Sequence, residues 1–196
     1  MEHENSSGMG TGGCCECSDR AAGMQRRDLE RYAVEVRRRI EENVGGVFNN
    51  MSPAHASVIV DAFLETAKKE VCIFCRKLAY DVYGSLTDTF RRVLSEGQVK
   101  VRVVTHAAYE ELESKELAEI LCSKGALRCS YRKDMQHFII ADACRYRLET
   151  DAALRTAVVC ASTLNDARRQ NFAKVVGQCF SDIWNSSTVP GDKKKA

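Results

Sequence analysis

Apolar side chains recur along this chain in two periods, one typical of helices and one typical of strands. Between residues 26 and 46 they lie four, three and four positions apart, at Leu29, Ala33, Val36 and Ile40. This spacing predicts an amphipathic helix with a narrow apolar stripe, ended by a pair of glycines. Because so narrow a stripe buries little surface, we expect a separate N-terminal helix that pairs with another subunit, in a homodimer or a larger complex.

Beyond residue 50, helical and strand-like segments follow one another in turn. Helices are predicted from Ser52 to about Lys69, from Ser85 to Gly97, from Tyr109 to Ser123 and from Asn165 onward. Apolar runs predict buried strands at 71–75, 99–104, 126–129 and 156–161. The stretch 133–151 predicts two more strands, 138–141 and 144–148, joined by a tight turn at Asp142. This order predicts an α/β fold, a mixed and mostly parallel sheet with helices on both faces.

Length and composition favour one domain, which we place at residues 50–186. The chain has 196 residues, of which 44% are hydrophobic and 29% charged, enough for one core. Residues 1–20 are rich in glycine, serine and small polar residues, and residues 187–196 are basic, so both are expected to be disordered tails. No apolar run reaches the roughly 18 residues of a membrane helix, and no secretion signal is evident. We therefore expect a cytoplasmic protein without membrane contact.

Three cysteines stand close together in the first tail, Cys14, Cys15 and Cys17. Thiolates bind soft metals, but a closed zinc site needs four ligands at spaced positions, and no second cysteine cluster follows. We therefore expect neither a metal nor a cofactor.

The stretch 133–151 also carries the best candidate site. His137 enters the first of its two strands and Asp142 leaves it, so two ionisable side chains are held at the ends of one short rigid segment. An imidazole can act near neutral pH as nucleophile or general acid. The alternative is that His137 is hydrogen-bonded within the hairpin and Asp142 caps the turn.

The order of elements resembles the single-motif half of the phospholipase D-like family, over roughly Pro53 to Ser186. Members carry His-x-Lys-x-x-x-x-Asp, in which the histidine attacks a phosphodiester and the lysine holds a phosphate oxygen. Two such motifs meet, from two halves of a chain or from two subunits. With the family's aspartate on Asp142, the lysine position falls on His137 and the histidine position on Met135. A later Gly-Ser-x-x-Asn-like segment is matched loosely by residues 161–165.

Methionine at the nucleophile position changes the function that the resemblance implies. A thioether cannot form the phospho-histidine that divides the displacement into two steps. We therefore expect a degenerate, non-catalytic and dimeric module that binds nucleic acid or a partner protein in a regulatory or assembly role. The alternative is an active, metal-independent phosphodiesterase or nuclease that uses His137 across a homodimer.

Six basic residues are candidate phosphate or nucleic-acid contacts. They are Arg132, Lys133, Arg145, Arg147, Arg168 and Arg169. The first pair precedes the hairpin, the second shares one face of a strand, and the third begins the last helix, where an anion site is natural. The alternative for the strand pair is surface pairing with Glu149, Asp151 or Asp134. Since the net charge is only +2, any such site depends on a local patch.

Overall fold

The computed structural model describes residues 15–132, 135–162 and 167–190, without the side chains of 15–25, 169 and 170. Six α-helices lie within these residues: α1 (Cys15–Glu41), α2 (Pro53–Thr66), α3 (Tyr80–Tyr83), α4 (Thr87–Glu96), α5 (Lys115–Ser123) and α6 (Ala167–Ser186). The strands are β1 (Phe48–Asn50), β2 (Glu70–Cys75), β3 (Lys100–Thr105), β4 (Leu127–Cys129), β5 (Phe138–Ala141), β6 (Arg145–Asp151) and β7 (Thr156–Cys160). None of the described helices is both long and apolar enough to cross a membrane.

The seven strands form one mixed sheet in the order β1-β7-β6-β5-β2-β3-β4. The predicted α/β fold with helices on both faces is confirmed. Strands β1, β2, β3, β4 and β6 run in one direction and β5 and β7 in the other, so four of the six neighbouring pairs are antiparallel. Most strands therefore point the same way, as predicted, but most neighbouring strands are antiparallel. The reason is that β5, the first strand of the β5–β6 hairpin, pairs with β2 in the antiparallel direction.

The sheet has one apolar core on each face, and strand β2 contributes side chains to both. Its residues from Val71 to Cys75 are buried. Helices α2, α4 and α5 cover one face of the sheet with apolar side chains that include Phe63 and Phe90. On the other face, Phe180 of α6 packs against Phe138. A continuous apolar run is what a strand covered on both faces requires.

Helix α1 is not separate over its whole length. Its last turns pack on α2, with Val36 and Ile40 buried in the same core as the sheet. Arg37 adds ion pairs to Asp61 and Glu65, which lie on α2. The narrow stripe was expected to be too small for docking, but two apolar residues one turn apart and these ion pairs suffice. Farther toward the N-terminus of α1, Val34 is 67% exposed.

Both predicted tails need correction where the structure describes them. Residues 15–20 belong to α1 instead of a disordered tail. At the other end, Thr188 exchanges two backbone hydrogen bonds with Cys129 in β4, at 2.8 and 3.0 Å, so residues 187–190 extend the fold. Residues 1–14, with Cys14, and residues 191–196 lie outside the described residues, as do the side chains of Cys15 and Cys17.

The predicted tight turn joins β5 to β6. Asp142 and Ala143 both have φ of 54°, and the Cys144 N–H donates to the Ala141 carbonyl at 3.2 Å, the pattern of a type I′ hairpin. The Asp142 carboxylate accepts the backbone N–H groups of residues 68, 69 and 70 at 3.0, 2.8 and 3.1 Å. One side chain therefore holds the hairpin against the segment that leads into β2.

Two glycine substitutions in this turn isolate the contribution of that carboxylate. We expect Asp142→Gly to lower the free energy of unfolding by about 2 kcal/mol, because three backbone donors lose a charged acceptor. Chemical denaturation at neutral pH measures the change.

Ala143→Gly is the matched control, since it gives the neighbouring turn position the same backbone freedom. Its free energy of unfolding should stay level or rise by up to about 1 kcal/mol, because alanine is strained at positive φ. Equal losses in the two variants would mean that the carboxylate contributes nothing.

Candidate functional site

The candidate site lies at one end of the sheet, where residues at the ends of four strands come together. His106 directly follows β3, and His137 directly precedes β5. Glu149 lies opposite His137 on β6, and its N–H donates to the His137 carbonyl at 2.9 Å. Arg76 directly follows β2. The sheet thus fixes two imidazoles, a carboxylate and a guanidinium within a small region.

The two imidazoles and the carboxylate form a hydrogen-bonded chain. His137 Nδ1 lies 2.7 Å from Glu149 Oε1, and His137 Nε2 lies 3.2 Å from His106 Nε2. Because an ionised carboxylate can only accept, His137 donates from Nδ1. When His137 is neutral its Nε2 is then an acceptor, so His106 donates from Nε2. Glu149 therefore orients His137, and His137 in turn orients His106.

Glu149 is a buried charge with several compensating partners. Its side chain is 6% exposed and lies 3.3 Å from Arg147 and 3.9 Å from Arg155. Burial raises the pKa of this carboxyl, but the hydrogen bond from His137 and the positive charges of His137, Arg147 and Arg155 outweigh it, so the pKa is lowered. The carboxylate therefore stays ionised at neutral pH.

This chain of side chains borders a cavity of about 630 Å³. The lining residues are Arg76, His106, Ala107, Glu111, Met135, Gln136, His137, Glu149, Thr150 and Ala152. Arg76 is exposed, and its side chain has no hydrogen bond or ion pair within the described ranges. Imidazole and guanidinium donors around one cavity suit an oxyanion such as a phosphate. Among the residues described, no group of three or more His, Cys, Asp or Glu side chains could hold a metal ion.

The two residues predicted as catalytic are at opposite ends of β5. His137 lines the cavity, whereas Asp142 lies beyond Ala141 and binds backbone N–H groups before β2. The Asp142 carboxylate therefore holds a neighbouring segment and not the turn that follows it, which differs from the turn-capping alternative. Met135 is among the cavity residues, so a thioether side chain stands where the resemblance places the nucleophile.

The basic candidates whose side chains the structure describes are not brought together. Arg145 and Arg147 are buried instead of exposed: Arg145 donates to Thr66, and Arg147 to Asn50 and Glu149. The period of a strand places both on one face, but helices cover that face. Arg147 does pair with Glu149, as the alternative expected, although in the interior and not on the surface.

Two further basic candidates, Arg132 and Arg168, are described and do not line the cavity either. Arg132 and Arg168 are exposed. Arg168 lies one turn before Phe172, whose ring contacts Tyr146, toward the end of the sheet that carries Asp142. The segment matched to the family's later motif also leaves β7 at that end. Lys133, the side chain of Arg169 and residues 163–166 lie outside the described residues.

Three residues of the candidate site were missed from the sequence. His106 and Arg76 each follow a buried strand, and the carboxyl ends of parallel strands are where α/β sheets bind ligands, so their positions carried a usable signal. Glu149 was considered only as a surface partner for arginines.

No family model and no curated protein sequence matches this chain. A solved structure of TrmBL2, an archaeal chromatin protein, superposes with a TM-score of 0.57 at 16% identity, over 89% of this chain and 66% of that one. The fold is shared with TrmBL2. A phosphatidylserine synthase from Haemophilus influenzae superposes with a TM-score of 0.43 at 10% identity, over 71% of this chain and 38% of that one. This second likeness is too weak to carry an argument, and this chain spans under two thirds of either protein.

Replacing the buried carboxylate tests its part in the site. We expect Glu149→Gln to lower the free energy of unfolding at neutral pH by about 3 kcal/mol, because Arg147 keeps a buried charge without its counter-charge. The folded pKa of Glu149 lies below its ordinary value of 4.5, so the unfolded chain binds more protons between the two values. The contribution of Glu149 is therefore present above about pH 4.5 and lost as the pH falls through the folded pKa. Denaturation of both proteins over this range measures the difference.

Glu111→Gln is the control, because Glu111 also lines the cavity but is exposed. It should change the free energy of unfolding by less than about 0.5 kcal/mol. A difference between Glu149→Gln and the unsubstituted protein that stays constant on acidification would contradict the assignment.

Proposed function

We propose that this chain is a degenerate, non-catalytic phospholipase D-like module that binds nucleic acid through a backbone phosphate in the 630 Å³ cavity. The observation that carries the proposal is the hydrogen-bonded chain of His106, His137 and Glu149, which borders this cavity beside the unpaired guanidinium of Arg76. The structure of TrmBL2 shows a novel mode of DNA binding, and we extend DNA binding to this chain only as part of the proposal.

Phosphate binding follows from the donors around the cavity. Arg76 offers a planar set of N–H groups that can bind two phosphate oxygens at once. The rings of His106 and His137 border the cavity beside this guanidinium and add polar ring atoms to its wall. With a net charge of only +2, attraction depends on this local group of donors, so binding should fall as salt is added.

The same residues argue against cleavage. The family's displacement at phosphorus proceeds through a phospho-histidine, and the Met135 thioether has no proton to lose and cannot form this intermediate. His137 is engaged on both ring nitrogens, by Glu149 and by His106. The proposed role is therefore to hold a strand, and the face of α1 that carries the exposed Val34 is the proposed element for pairing with a second subunit or a partner.

A second candidate function is an active phosphodiesterase. The 2.7 Å contact between His137 and Glu149 favours it, because a carboxylate that orients an imidazole is a common feature of catalytic sites. In this candidate His106 stands beside His137 in the same chain, so a homodimer is not needed to supply a second imidazole.

Binding to a short fluorescent oligothymidylate tests the first proposal. We expect Arg76→Ala to weaken binding about fivefold and to reduce the dependence of log affinity on log salt by about 1, as loss of one phosphate contact requires. Fluorescence anisotropy at several salt concentrations measures both quantities.

Lys100→Ala is the matched control. Lys100 is an exposed cation that begins β3, at the opposite end of the sheet from Arg76, so its loss removes one charge without touching the cavity. Equal effects of the two substitutions would show attraction by overall charge and would contradict a phosphate site.

Hydrolysis of a simple phosphodiester separates the two candidates. We expect no turnover above the rate of the His137→Ala variant, with or without chelator, because the family's chemistry is metal-independent and Met135 cannot replace its nucleophile. Release of a chromogenic leaving group measures the rate. Turnover that His137→Ala abolishes would establish the phosphodiesterase and end the non-catalytic proposal.

A further inference from the structure

An exposed tyrosine lies at the same strand ends as the two histidines. Tyr131 is 75% exposed and follows Ser130, whose N–H donates to the Thr105 carbonyl at 2.7 Å. His106 is the next residue after Thr105. This backbone hydrogen bond holds the residue before Tyr131 next to the residue before His106, although Tyr131 and His106 are 25 residues apart in the chain.

Tyr131 lines a second cavity of about 170 Å³. This cavity shares His106 and Ala107 with the larger one, so the two cavities adjoin at these residues. Val189 and Pro190 contribute apolar surface to its wall, and Val189 is 48% exposed. The two hydrogen bonds between Thr188 and Cys129 hold this wall in place.

The two cavities differ in chemistry. The larger is lined by the imidazoles, Arg76 and the carboxylates of Glu111 and Glu149. The smaller is lined by the rings of Tyr109 and Tyr131, by apolar side chains such as Val189 and Pro190, and by the Glu110 carboxylate. Arg132, exposed and next to Tyr131, adds positive charge on that side. A ligand that matches both cavities has a negative charge beside a flat, largely apolar ring, which is the chemistry of a nucleotide.

We infer that the smaller cavity binds a nucleobase of a single strand whose phosphate occupies the larger cavity, with the base stacked on Tyr131. The inference rests on the proposed function and specifies that the nucleic acid is bound as a single strand. Stacking needs the free face of a base, which a duplex hides between its neighbouring pairs. An aromatic ring accepts every base, so strand form and not sequence is selected.

The experiment compares four ligands by anisotropy or competition. They are a short oligothymidylate, an abasic oligomer of the same length and charge, a duplex of that length and thymidine monophosphate. We expect the oligothymidylate to bind about tenfold more tightly than the abasic oligomer and the duplex, the size of one base–aromatic stack. It should also bind more tightly than thymidine monophosphate, which carries a single phosphate. Tyr131→Ala should remove the advantage over the abasic oligomer and the duplex, and Tyr131→Phe and Tyr131→Trp should keep it.

Tyr80→Ala is the matched control, because Tyr80 is 70% exposed and lies outside both cavities. It should leave the oligothymidylate affinity unchanged. Thermal melting of each variant checks folding.

The outcomes separate the two proposals. Equal binding of oligothymidylate and abasic oligomer overturns the stacking site and leaves the phosphate site standing. Tighter binding of the duplex or of free thymidine monophosphate overturns the single-strand inference, and so does an equal loss in Tyr80→Ala. Binding of none of the ligands at low salt removes both proposals.

Discussion

The buried carboxylate of Glu149 is the constraint around which this end of the molecule is built. An ionised group that is 6% exposed costs several kcal/mol unless partners offset its desolvation. Arg147 and Arg155 supply positive charge, and His137 supplies a hydrogen bond. Because these partners come from the strands and turns around β6, removing the carboxylate would disturb the interior as well as the cavity.

Arg147 links this charge to the edge of the sheet. It donates to the Asn50 side chain in β1 at 2.8 Å and to the Arg155 carbonyl at 3.0 Å, while Asn50 donates to that same carbonyl at 2.7 Å. The edge strand, the β6–β7 turn and the site thus share one network. At the far end of β5, the Asp142 carboxylate forms a second network of hydrogen bonds, with backbone N–H groups of the segment that leads into β2. Both ends of β5 are held, so His137 has little freedom to move.

Local pattern predicted the elements well because their signals are local. The apolar run at 71–75 and the turn at Asp142 each depend on neighbouring residues, and both are present as expected. Pairing is different: nothing in the sequence near His137 indicates that His106, 31 residues earlier, supplies its second partner. The burial of Arg145 and Arg147 was missed for a related reason. A period of two shows that both side chains share a face, but both faces of this strand are covered.

The central claim is that the cavity beside His137 holds a phosphodiester strand and leaves it intact. Phosphorus NMR of a short oligothymidylate during titration with the protein tests binding and cleavage together. The account predicts that the phosphodiester signals shift and broaden as protein is added, and that no phosphomonoester signal grows with time. A growing phosphomonoester signal that depends on His137, or a spectrum that does not change at low salt, would contradict it.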